Sequence, residues 1–127
     1  MKKILTAVCL AIAALFMAVP DATAASLDLA QLAENMNQDK TSGIVAHYNG
    51  TFFQITDYMT EPESQKIIMN AEEEELRTLV AEDDNFRAIM NMLYNEGAAF
   101  MMIFNCGDYG ERSIYYTVPE EKAILGY

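Results

Sequence analysis

The apolar positions of this chain change period several times, and each change marks an element. Leu29, Leu32, Ala33 and Met36 recur at the spacing of one helical face behind Ser26, a residue type that caps helices. The pattern predicts a short amphipathic helix over 27–38. Three turns are marginal in isolation, so this helix needs a surface to pack on. Thr41, Ser42 and Gly43 interrupt the pattern.

Two strand-like runs, 44–48 and 51–57, flank Asn49-Gly50. That dipeptide is the preferred two-residue type I′ turn, which requires positive φ at both positions. The turn sets an expected register in which Tyr48 faces Thr51, Ala46 faces Phe53 and Ile44 faces Ile55. One face then carries Ile44, Ala46, Tyr48, Phe53 and Ile55, and reads as core. The other carries Val45, His47, Phe52, Gln54 and Thr56, and reads as at least partly wet.

Thr60-Glu61-Pro62-Glu63 has the form of a capping box with proline in the first turn, opening a helical region that runs to about Glu96. Unbroken, that region would be roughly 50 Å long at 1.5 Å per residue. A domain of a hundred residues is only about half that wide, so the region must break. Glu82-Asp83-Asp84-Asn85 is the first expected break, because its side chains compete for backbone amides, and Asn70 is the second. Beyond the first break Phe86, Ile89, Met90, Leu93 and Tyr94 form a helical stripe ended by Gly97.

From 98 to 105 both alternating sets are apolar, as expected of a central strand covered on both faces. Gly107 to Gly110 form a loop into a last strand over 111–118. There Arg112, Ile114, Tyr116 and Val118 alternate with Glu111, Ser113, Tyr115 and Thr117. Pro119 stops it, and residues 120–125 suit a closing turn of helix. The order α-β-β-α(α)-β-β predicts one small α+β domain, with helices packed on an antiparallel sheet of about four strands made of two hairpins.

Composition adds an address. Met1, Lys2 and Lys3 precede an apolar run over 4–19, and Ala22-Thr23-Ala24 follows Pro20 and Asp21. A basic start, an apolar stretch short of the roughly 20 residues needed to span a bilayer, and small residues two apart are the parts of a secretory signal. Residues 1–24 therefore read as a bacterial-type signal peptide cleaved after Ala24, leaving 25–127 as a periplasmic or secreted domain with no membrane span. Losing Lys2, Lys3 and Asp21 takes the basic residues from 8 to 6 and the acidic ones from 19 to 18, a net charge of −12. That sign disfavours nucleic acid and anionic lipid as partners. Cys9 leaves with the signal, so Cys106 has no partner for an internal disulfide. It reads as a buried thiol near a strand end, with pairing between chains the alternative.

Reaction chemistry finds little support. His47 is the only histidine and Cys106 its only thiol partner, and they lie on different hairpins without a hydrolase signature around either. Glu72 to Glu75 point around a helix instead of converging, and Glu82-Asp83-Asp84 lack the spacing and glycine of a calcium loop. The methionines could bind copper(I), but several fall on core stripes. No cofactor or metal is expected, and the chain reads as a non-enzymatic binding module. Two kinds of partner remain. A protein could be met through sheet-face aromatics, with His47, Phe52 and Tyr115 as the candidate surface. A small apolar ligand could instead sit between sheet and helices, in a pocket lined by Met90, Tyr94, Phe100, Met102 and Phe104.

Overall fold

The computed structural model describes residues 29–38 and 43–127. The expected signal peptide and the Ser26 cap lie outside these residues. Helix α1 (Leu29–Gln38) leads into strands β1 (Ile44–Tyr48) and β2 (Phe52–Tyr58). Three helices follow, α2 (Pro62–Asn70), α3 (Glu73–Ala81) and α4 (Asp84–Glu96). Strand β3 (Ala99–Asn105), a 3-10 turn (Gly107–Tyr109), strand β4 (Glu111–Tyr116) and helix α5 (Val118–Leu125) complete the fold.

The protein is a small single α+β domain with several helices packed against a four-stranded sheet of order β1-β2-β3-β4. The sheet is mixed, not antiparallel. The β1·β2 and β3·β4 pairs are antiparallel, as two hairpins require, but β2 and β3 run parallel at the centre. The cause is the connection between them. Three successive helices carry the chain across the sheet and back to the starting end, so β3 enters in the direction of β2.

The β1–β2 turn also differs from expectation. Asn49 keeps a negative φ, and only Gly50 is left-handed, at φ 90°. The Asn49 side-chain oxygen accepts from the backbone N–H groups of Thr51 and Phe52, both at 2.9 Å. This local Asx turn replaces the two-residue type I′ turn and widens the loop. Tyr48 accordingly pairs with Phe53, Ala46 with Ile55 and Ile44 with Asp57. The slip is two residues on the partner strand. Side chains repeat every two residues, so every expected face assignment survives.

The long helical region breaks at both expected places. Asp83 caps α4 by accepting from the N–H groups of Asn85 and Phe86, and Gly97 ends that helix at φ 70°. The Thr60 capping box does not form, because the N-cap of α2 falls one residue later, on Glu61, which makes no side-chain cap. Its C-terminus is served from another element. Arg112 Nη1 donates to the carbonyls of Ile68, Met69 and Ala71 at 3.1, 3.1 and 2.7 Å. A cation there satisfies orphan carbonyls and opposes the helix dipole.

Phe53, Ile55, Phe100, Met102, Phe104, Ile114 and Tyr116 from one sheet face join Phe86, Ile89, Met90 and Leu93 of α4 in a single buried cluster. The apolar face of α1 enters the same cluster beside β1. Asn37 of α1 donates to Ala46 O at 2.8 Å and accepts from Ala46 N at 2.7 Å. Its amide thus takes the place of a neighbouring strand at the exposed edge of β1, which blunts that edge against further pairing.

Candidate functional site

The opposite face of the sheet is built differently. Strand alternation and register lay its side chains out in rows that cross all four strands. One row runs His47, Gln54, Met101, Tyr115, and the next runs Val45, Thr56, Ile103, Ser113. Phe52 and Ala99 lie beyond the first row, and Tyr58, Asn105 and Glu111 beyond the second. None of the apolar residues among them belongs to the core cluster. Val45, Tyr58 and Tyr115 are 46, 49 and 40 % exposed, and Phe52, Met101 and Ile103 are half-buried.

The three residues expected to form an interaction surface therefore share one face. His47 and Tyr115 stand in the same row on opposite edge strands, about 14 Å apart at the usual strand spacing. Phe52 lies on β2 between those edges. The sequence pattern already places Val45 on this face, but it hides Met101 and Ile103, because the apolar outer positions of β3 suggest that both of its faces are covered. In fact β3 is central, and the described helices pack on one of its faces only. Apart from the tyrosine hydroxyls, His47 and Glu111 are the only ionisable side chains among the described strand residues of this face, although the chain as a whole is strongly acidic.

The pair considered for catalysis is not brought together. Cys106 lies five residues beyond the His47 row and two strands across, roughly 20 Å away by strand geometry. Proton transfer between them is ruled out by distance. Cys106 is fully buried, with Sγ 4.0 Å from the Met59 sulfur. Burial pushes its thiol up, the nearby Asp57 charge adds to the rise, and Arg112 opposes it. A thiol held in this way is a poor nucleophile.

Two carboxyls on the helix side escaped the sequence reading. Asp57 ends the inward-facing series Phe53, Ile55, Asp57 and is only 8 % exposed. Burial pushes its carboxyl up to about 6. Arg112 stands in the same inner row but serves the α2 carbonyls instead. Glu121 of α5 is wholly buried, and neither of its oxygens has a hydrogen-bond partner. Burial alone pushes it up to about 8. Both positions were readable: Asp57 by strand parity, and Glu121 by its i, i+3, i+4 spacing to Ile124 and Leu125.

Of the residues expected to line a ligand pocket, Met90, Phe100, Met102 and Phe104 are fully buried members of the core cluster. Phe100 contacts the Phe86 and Tyr116 rings, each at 6.1 Å between centroids. Tyr94 is half-buried at the rim, with its ring 5.4 Å from that of Tyr127. Elsewhere an open depression of about 350 Å³ lies between α2 and α3, lined by Lys66, Ile67, Asn70, Ala71 and Glu75. Among the described residues, no three His, Cys, Asp or Glu side chains gather as metal ligands would. No helix among them is long and apolar enough to cross a membrane. No protein-family model, curated protein or solved structure matches the chain.

Proposed function

We propose that this is an exported, non-enzymatic domain that binds a partner protein through the sheet face carrying His47, Phe52, Met101, Ile103 and Tyr115. The observation that carries the reading is the apolar surface of that face, which no described helix packs against and which holds almost no charge in a molecule of net charge −11. Water contact on such a surface is unfavourable, and a contiguous exposed apolar patch marks an interaction site more often than it marks nothing. Tyrosine and methionine enrichment with charge depletion is the composition of interface centres. The acidic remainder of the molecule favours a partner with an apolar centre and a basic rim.

The test is recovery of partners from the native envelope fraction with the wild-type protein and with the Phe52→Ser, Tyr115→Ser double variant. Loss of specific partners in the variant, with its fold intact by circular dichroism, supports the reading. Recovery of the same proteins by both rejects this face as the site.

A further inference from the structure

We propose that α5 is a pH-gated clasp, held against α4 and β3 while the Glu121 carboxyl is protonated and released when it ionises. Of the described elements α5 packs most closely on α4 and also touches β3, and Glu121 is wholly enclosed there with neither oxygen hydrogen-bonded. A neutral carboxyl in such a place is tolerable, but an unpaired carboxylate is not, because burial removes its hydration and nothing replaces it.

The surrounding charges offer no relief. The ionisable residues of α4 are Asp84, Arg87, Tyr94 and Glu96, of which Tyr94 meets α5 through the Tyr127 ring, and β3 has none. Arg77 of α3 approaches Glu120 at 3.4 Å, on the exposed side of α5, and also Glu73 at 3.8 Å. Tyr116 of β4 donates its hydroxyl to Arg77 O. None of these groups hydrogen-bonds the Glu121 oxygens.

The geometry also permits α5 to move as a unit. Thr117 caps the helix through a reciprocal bond with Glu120, and Gly126 closes it at φ 80°, so the helix carries its own end satisfaction wherever it lies. Among the described residues its grip on the body includes half-buried Val118, Ile124 and Leu125, the exposed ion pair to Arg77, and an exposed hydrogen bond from the Tyr127 hydroxyl to Asn91. Exposed contacts of this kind hold weakly. The sign follows from the raised pKa. Closure is fully favoured below the ordinary glutamate range and is lost as pH rises through about 8. This inference is independent of the sheet-face reading, since α5 does not contribute to that face.

Hydrogen exchange of the purified chain, resolved by segment and corrected for the intrinsic pH dependence of exchange, tests it. Between about pH 5.5 and about pH 9, protection over 118–125 should fall about tenfold or more relative to β3. Glu121→Gln and Glu121→Met should both abolish that fall while keeping α5 protected at the higher pH. Unchanged relative protection of α5 in the wild type would overturn the proposal. So would a parallel loss in α5 and β3, which would mean global destabilisation, or persistence of the fall in a folded variant. The wild-type measurement decides by itself if neither variant folds.

Discussion

The two faces of the sheet are made from the same strands and similar residue types, yet they have opposite fates. On the inner face Phe53, Phe100 and Phe104 are fully enclosed under the helices. On the outer face Phe52, Met101 and Ile103 are half-buried, and Val45 and Tyr115 are more than a third exposed. Hydrophobicity along β3 barely distinguishes them. What separates them is the supply of helices: the β2–β3 crossover and α5 contribute their apolar stripes to one side. Apolar character on a face that folding does not use is available for association.

That contrast predicts effects of very different size. Phe100→Ala, at the meeting point of Phe86 and Tyr116, should cost about 3–5 kcal/mol through lost burial and the cavity left behind, measured by denaturant unfolding. Against a domain stability of about 5–15 kcal/mol, that is enough to leave a sizeable unfolded fraction in a marginal protein.

The buried carboxyls on the helix side should make stability run opposite to ordinary acid denaturation. Asp57 and Glu121 both have pKa values raised by burial, to about 6 and about 8. Their unfolded forms ionise first, so stability should be greatest below the ordinary carboxylate range and should fall as pH rises towards about 8. Asp57→Asn should flatten the part of that fall between about pH 4 and 6, by roughly 1–3 kcal/mol in unfolding free energy. A melting temperature that rises steadily from pH 5 to 8 would contradict the burial of both groups.

Asn37→Ala removes both bonds between α1 and the Ala46 backbone and should cost about 1–3 kcal/mol, since the edge amide and carbonyl of β1 lose their partner. It should also raise the tendency to self-associate through β1, visible in sedimentation velocity. The smallest effect on folding belongs to the outer face. Phe52→Ser with Tyr115→Ser should change stability by about 1 kcal/mol or less while abolishing partner binding. A large loss of stability there would show that the outer face supports the fold, and the contrast between the faces would fail.

Much of the fold is legible in the residues themselves because its signals are local. The α4 stripe from Phe86 to Leu93, the Asp83 cap and the Gly97 stop each depend on a few neighbouring positions, and each appears as expected. The faces of the first hairpin were equally legible, and they survived an error in turn type because a slip of two preserves parity. The turn itself was misread because Asn49 has two uses. It tolerates positive φ, and it also captures amides with its side chain, and the second prevailed. The candidate surface was legible only in part. His47, Phe52 and Tyr115 were found through their exposure pattern, whereas Met101 and Ile103 were hidden in a run that looked buried on both sides.

The sequence by itself determined the order of the described helices and strands to within a few residues at their ends, and which strand positions share a face. Those properties follow from backbone periodicity and from side-chain chemistry, which act over a few residues. Only the tertiary structure decided the parallel pairing of β2 with β3, the service of Arg112 to the end of α2, the enclosure of Glu121, and which face of β3 the described helices pack on. Each depends on which distant element arrives at a given surface, and local propensity carries no information about that arrival.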